Sequence, residues 1–322
     1  MFKNKEGKVR SGWKIAAMLG SALGVSMLIG IIVGMSAAAI LLMNGDLNAQ
    51  TMEYTEHGNQ ILANVNLIMM FLQDIVMILT AIIAWKFIIK RPLSNMGLTS
   101  IKTQRKEFIV GLLFGILSIS VVFIVLVLSG NAEVKSWAPH FSVYQLIYLL
   151  LFILVGFAEE IVGRGFIMSA LRQTRNIPVV IIVSSIIFAL MHSFNSGIGI
   201  IPYINLTLVG IFFSYMYLKS GNIWMCIGYH ITWNYFQGNV FGFKVSGTET
   251  YGILTTQYEK ANIFNGGDFG PEGGLFVTAV ILLGFLFVKI YYKNCDYNFL
   301  SSEPVIMEQP PLPEVINYNT PM

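Results

Sequence analysis

Ala158-Glu159-Glu160-Ile161-Val162-Gly163-Arg164 stands at the end of an apolar run that begins at Phe141. How this charged cluster is read decides the fold. If it is solvated, it closes one more apolar helix. If it is enclosed, it is the polar centre of a helical membrane protein. On a helix Glu160 and Arg164 are four residues apart and share a face, which permits a partly buried ion pair, while Glu159 points about 100° away toward a different neighbour. One carboxylate is then neutralised and the other left free. Taken alone, the cluster equally suits interfacial residues in water.

Outward from this cluster the chain is apolar almost throughout. Of 322 residues 55% are hydrophobic and only 11% charged, with a net charge of +3. A soluble domain carries about a quarter charged residues, so an ordinary cytosolic globule, a disordered chain and a nucleic-acid binder are excluded. Cys226 and Cys295 are too few for a zinc site of their own or a disulfide framework.

A spanning helix needs about 20 mostly apolar residues, and eight such segments are present: Ile15 to Met43, Ile61 to Ile89, Phe108 to Gly130, Phe141 to Ala158, Ile177 to Phe194, Ile198 to Leu218, Asn222 to Val240 and Gly274 to Tyr292. Basic residues collect on the cytoplasmic side of membrane spans. With the amino terminus inside, 17 of the 20 Lys and Arg residues, Arg164 among them, fall in inner segments, and only Lys135, Lys244 and Lys260 fall outside. The expected fold is therefore all-α and polytopic, in the plasma membrane, with both termini cytoplasmic. Residues 1–300 form one membrane-embedded domain, and 301–322, which hold five prolines, form a flexible cytoplasmic tail. The first apolar run, nearly twice the length of a signal h-region, reads as a retained anchor. Gly20/Gly24 and Gly30/Gly34 have the spacing of close helix contacts.

An ionisable side chain within a span costs about 2.5 to 3.5 kcal/mol on insertion scales, so these residues carry the information. His57 and His140 lie in outer loops and read as surface residues. His192 lies on the fifth span; His230 and Asn234, four apart on the seventh, share a face. Together with Glu159 they supply the parts for proton transfer and oxyanion stabilisation. Glu159 and His192 can deprotonate a water, while His230 and Asn234 can donate to a developing oxyanion. Equally, Glu159, His192 and His230 can ligate Zn²⁺ with a water in the fourth position. Residue types alone leave the two open. Asp74 in the second span is a functional candidate that could line a cavity, but it reads rather as helix packing or a structural ion pair, and Asn205 as an interhelical hydrogen bond. Tyr229 and Trp233 flank His230, while Trp13, Trp85, Trp137 and Trp224 fall near span ends.

Glu159-Glu160-x-x-x-Arg164, then Phe188-x-x-x-His192, then His230-x-x-x-Asn234, in this order on successive apolar helices, resemble the CAAX protease and bacteriocin-processing family of intramembrane endopeptidases, also called the Abi family. The glycine-rich stretch Asn265 to Gly274 is similar to one that bacterial members carry before the last span. The resemblance covers about Phe141 to Tyr292. It implies an eight-helix core and a glutamate-dependent peptidase, in which Glu159 activates water with His192 and the oxyanion hole is His230 with Asn234. Glu160, Arg164 and Phe188 would support them. No cofactor is then required, Zn²⁺ being the metallo-type alternative. The substrate would be a membrane-associated peptide or protein: a CAAX protein, a signalling peptide or a bacteriocin-related peptide. A non-catalytic immunity or partner-binding protein is the competing reading, and a transporter a weaker one.

One geometric difficulty follows. With straight helices Glu159 lies about 27 Å along the fourth span and His192 about 22 Å along the fifth, counted from opposite faces of the membrane. They meet only if the path is broken or re-entrant, with Gly156, Gly163 and Gly165 as candidate bends, and if Glu159 to Arg172 sinks into the membrane.

Overall fold

The structure, a computed structural model, describes residues 2–4, 7–137, 142–295 and 297–301. His140 and the tail from Ser302 onward lie outside them. Helix makes up 71% of the chain. The long helices are α1 (Ser11–Met43), α2 (Glu56–Ala84), α3 (Ile101–Leu128), α4 (Val143–Glu160), α6 (Ile177–Met191), α7 (Ile200–Ser220), α8 (Trp224–Tyr235) and α9 (Leu275–Tyr291), with a single turn, α5 (Ser169–Leu171), between α4 and α6. Each of the eight apolar segments is thus a helix. Five helical stretches are long and apolar enough to cross a bilayer, and Ile177–Met191 and Leu275–Tyr291 are shorter apolar helices. The protein is an all-α, multi-pass membrane protein. Its only regular strands among the described residues, β1 (Glu133–Trp137) and β2 (Leu254–Gln257), pair antiparallel in the loops.

Local sequence accounts for the helix ends. Ser142 and Gln145 form a reciprocal capping box on α4, and Asn176 caps α6 by accepting from Val179 N–H, with Pro178 in the first turn. These arrangements satisfy amide groups that lack an intrahelical partner. Large apolar side chains such as Leu23, Ile32, Met35 and Leu113 are exposed on the outside, as a lipid-facing surface requires.

The closest helix contact is not at the glycines of α1, whose spacing is incidental. Gly20, Gly24 and Gly34 face open space, and Gly30 meets only Met69. Instead α3 and α8 pack backbone to backbone: a Cβ at Gly115 would stand 2.3 Å from Thr232 Oγ1 and 2.4 Å from the Tyr229 carbonyl oxygen. The Thr232 hydroxyl donates across this contact to the Leu112 carbonyl, 2.8 Å away. Close approach fixes α8, which is buried from Trp224 to Asn234. Two tryptophans expected at the interface also turn inward, with Trp85 Nε1 donating to the Pro92 carbonyl and Trp224 Nε1 to the Thr99 carbonyl.

The fourth span does not end at Ala158. Helix continues through a π-helical stretch, Ile161–Met168, then α5 and a 3-10 turn, Arg172–Thr174. The whole of Val143–Thr174 forms one apolar stretch of 32 residues. Arg164 is therefore inside the bundle rather than in an inner loop. Its charge is tolerated because it is paired: Nη1 stands 3.2 Å from Glu160 Oε1, with Glu160 0% and Arg164 1% exposed. The guanidinium also covers the rings of Phe188 and Phe213, at 4.4 and 4.9 Å, and Nη2 donates to the Gly210 carbonyl. These contacts offset the desolvation of both ions.

This continuation removes the difficulty about Glu159 and His192. Glu159 lies 15 residues before Thr174 and His192 lies 18 after it, so in an antiparallel pair turning near Asn176 the two come level. No re-entrant break is needed. Within the stretch from Glu159 to Arg172, residues 161–171 are buried in the bundle. Two of the three glycines proposed as bends serve packing instead: a Cβ at Gly156 would stand 2.7 Å from Ile231 on α8 and one at Gly165 3.1 Å from Met96.

Candidate active site

Glu159, His192, His230 and Asn234, from α4, the end of α6 and α8, line one cavity of about 260 Å³. Glu159 Oε2 is 3.7 Å from His192 Nε2 and 3.8 Å from His230 Nε2. The same oxygen is buried and has no hydrogen-bond partner among the described residues. All three side chains retain access to the cavity, at 17% exposure for Glu159 and 10% for each histidine.

The two imidazoles are oriented by different partners. His192 Nδ1 lies 2.9 Å from the carbonyl oxygen of Phe188. A carbonyl oxygen only accepts, so the proton of a neutral His192 resides on Nδ1 and its Nε2 lone pair faces Glu159. His230 Nδ1 instead donates to a carboxylate, Glu160 Oε1 at 3.0 Å. Glu160 is thus more than the partner of Arg164, because it also orients the histidine on α8. Phe188 likewise has two tasks, its ring under Arg164 and its carbonyl on His192.

Asn234 is 4% exposed and follows His230 by one turn, on the same cavity wall. A smaller space of about 40 Å³ adjoins the site, and there Trp233 and Tyr229 stand among the lining residues, their rings stacked at 5.6 Å. His57 is a surface residue as expected, paired with Asp46 in the loop after α1. Asn205 makes the interhelical bonds foreseen for it: its amide donates to the carbonyls of Glu272 and Gly274, and its oxygen accepts from Thr278 on α9. Cys226 and Cys295 are free thiols.

Two further carboxylates stand at the site: Asp74, for which the sequence reading preferred packing or an ion pair to a place on a cavity wall, and Glu272, which it did not single out. Asp74 has no ion pair among the described residues and lines the cavity that holds Glu159, beside Gln73, with Oδ2 buried and unpartnered among them. Glu272, from the glycine-rich stretch, lines the smaller space with His192 and Asn234. Its Oε2 accepts from the backbone N–H and hydroxyl of Ser246, at 2.6 and 2.8 Å. Burial raises the Glu272 carboxyl above the ordinary carboxylate range, against the pull of those two bonds. Gly270 lets the loop arrive there, since it has φ +97° and a Cβ on it would stand 2.2 Å from the Lys244 carbonyl oxygen. The intramembrane charge of Asp74 was a legible signal; the return of Glu272 to the site was not.

Among the described residues no group of three or more His, Cys, Asp and Glu side chains is arranged to hold a metal ion, the trio at this site included.

Residues 141–236 match the family model for Rce1-like proteins, described as type II CAAX prenyl endopeptidase Rce1-like. All four site residues and Glu160, Arg164 and Phe188 fall inside that range. The resemblance to CAAX proteases is borne out over it, and the match supports an intramembrane protease. No curated protein and no solved structure matches the chain.

Proposed function

We propose, from the match of residues 141–236 to the Rce1-like endopeptidases, that this protein hydrolyses a peptide bond of a membrane-associated peptide or protein within the helix bundle, using side chains alone. The observation that carries the reading is the position of Glu159 Oε2 between two Nε2 atoms, 3.7 and 3.8 Å away. Those separations are too long for direct hydrogen bonds and suit one intervening water.

Their different partners divide the work between the histidines. His192, held by a neutral carbonyl, presents an acceptor at Nε2. A water donating one hydrogen there and the other to Glu159 has its lone pairs free to attack a substrate carbonyl. His230, with Glu160 accepting from Nδ1 and Glu159 near Nε2, is placed to carry both protons and to donate from Nε2. With the Asn234 amide it forms an oxyanion hole for the tetrahedral intermediate. The proton leaving the water is held by Glu159 and His192 and passes to the amine as the C–N bond breaks. In this low-dielectric surrounding such bonds act more strongly than in water.

Substrate classes that fit are a CAAX-type protein, a signalling peptide or a bacteriocin-related peptide. The concentration of Lys and Arg in alternate segments supports a location in the cell membrane with both termini cytoplasmic. The test compares, by mass spectrometry, the membrane and secreted peptides of cells carrying wild type and Glu159→Gln at equal expression. An accumulating precursor and a missing product establish the protease and name its substrate. Matching profiles, with the wild-type phenotype intact, replace it by a partner-binding role. Activity of the purified protein that survives EDTA supports the side-chain mechanism; loss that Zn²⁺ restores supports the metallo-type.

A further inference from the structure

Thirteen residues beyond Glu159 on the same helical rod, about 20 Å by the helical rise, Arg172 opens a second cavity, of about 210 Å³. Among the described residues its wall holds five basic side chains, Lys8, Lys14, Arg91, Arg172 and Arg175, and no acidic one. They come from three separate parts of the chain: the approach to α1 with its first turn, the turn between α2 and α3, and the turn between α5 and α6. Lys14 lies within electrostatic reach of Lys8 and Arg91.

Two side chains of this wall are held in place by other contacts, each with one donor left over. Arg172 is fixed by Nη2, which donates to the hydroxyls of Tyr217 and Tyr297 at 2.9 and 3.3 Å, and by the Phe299 ring, 4.2 Å from its guanidinium carbon. Its Nε–H, buried, meets no acceptor among the described residues. Gln173 is fixed by its oxygen, which accepts from the Ser11 hydroxyl at 3.1 Å, and its amide nitrogen is likewise buried without an acceptor. Gathered like charges repel, and a buried donor without an acceptor costs about 1–3 kcal/mol. An anion with several oxygens relieves both. The helix ends supply the source: α1 and α6 begin at this end and the helix of α2 stops here, as spans do where they meet lipid headgroups.

We propose that this cavity is a binding site for a phosphate-bearing anion, supplied by the headgroup of an anionic membrane lipid, which ties the start of α1 to the bundle. Besides α2, α1 has few neighbours to hold it: only 11% of its apolar window is buried, and Ser11 reaches the Ala170 carbonyl next to the cavity. A bound headgroup adds a bridge from Lys8 and Lys14 to Arg172 and Arg175.

The test uses the full chain with Glu159→Gln, so that its result is independent of the proposed peptidase activity. Thermal unfolding in detergent is followed by tryptophan fluorescence with added phosphatidylglycerol, with phosphatidylcholine and with inorganic phosphate. Phosphatidylglycerol should raise the midpoint by several degrees and the other two should not. The double substitution Lys14→Gln/Arg91→Gln should lose most of that rise, whereas Lys102→Gln/Arg105→Gln, basic positions outside the cavity, should keep it. An equal rise with inorganic phosphate alone overturns the lipid as the source. No rise with any anion, or equal loss in both double variants, overturns the site. Should the first double variant not fold, native mass spectrometry of the parent decides: preferential retention of phosphatidylglycerol over phosphatidylcholine supports the proposal, and equal retention overturns it.

Discussion

Glu160 accepts a hydrogen bond from His230 across 70 residues of sequence, through the same oxygen that pairs with Arg164. One fully buried carboxylate therefore ties the charge balance of the α4 rod to the orientation of an imidazole on α8. Its removal should be felt twice. Glu160→Gln leaves Arg164 as an uncompensated buried charge, and breaking a buried pair in this way costs about 3–5 kcal/mol. The variant should unfold at markedly lower temperature or denaturant than Glu159→Gln, whose Oε2 makes no hydrogen bond to lose. Chemical unfolding of the two variants in the same detergent checks the order.

Asn234→Ala should lower kcat by about 10²–10³, the cost of one oxyanion donor, with KM little changed because the amide acts on the intermediate. Steady-state kinetics on the substrate identified with Glu159→Gln measures the split. A rise in KM at constant kcat would remove Asn234 from the oxyanion hole and make it a binding residue.

Asp74 lines the cavity that holds Glu159, and its Oδ2 has no hydrogen-bond partner among the described residues. A cationic group on the substrate near the cut is the natural complement, and a hydrogen bond to a charged group contributes about 1.5–3 kcal/mol. Asp74→Asn should therefore raise KM about tenfold or more for a peptide carrying Lys near the cut, and leave a norleucine analogue unaffected. Equal effects on both peptides would return Asp74 to a structural role.

In the loop between α1 and α2, hydrogen bonds from Thr55 and His57 hold the Asp46 carboxyl below the ordinary carboxylate range. A depressed folded-state value means that the stabilisation is present above the unfolded pKa, near 3.9, and is lost as pH falls through the lower folded value. An acid-active protease should then cut the Asn44–Thr55 segment faster as pH falls through that window. Asp46→Asn should remove the dependence.

Spacings of four on a helix are legible in the sequence. Glu160 with Arg164 follows from the helical repeat alone, and the shared wall of His230 and Asn234 bears out their predicted common face. All eight apolar segments are helices for the same reason. The end of the fourth span is not legible, because hydropathy registers Glu159, Glu160 and Arg164 as charges and has no knowledge that two of them pair. From that one misplaced boundary comes the apparent mismatch in depth between Glu159 and His192. Contacts between elements distant in sequence, Glu160 with His230 and Glu272 with Ser246, depend on how helices and loops are laid against one another, which no periodicity encodes. The charge of Asp74 stands out in its span, but its company on the cavity wall belongs to the packing of α2 against α4.

The π-helical stretch Ile161–Met168 lies between Glu159 and Arg172 on the rod. A π-turn is wider than an α-turn and takes up an extra residue over the same path. Loss of a single residue between Gly165 and Met168 can thus be absorbed by narrowing to an α-turn, leaving the two flanks facing as before. The same loss upstream, between Tyr148 and Val155, would swing the outer half of α4 by about 100° against the rest. Length variation along this helix is therefore not equivalent from place to place: one short interval is elastic in residue number, and the turns leading to Glu159 are not.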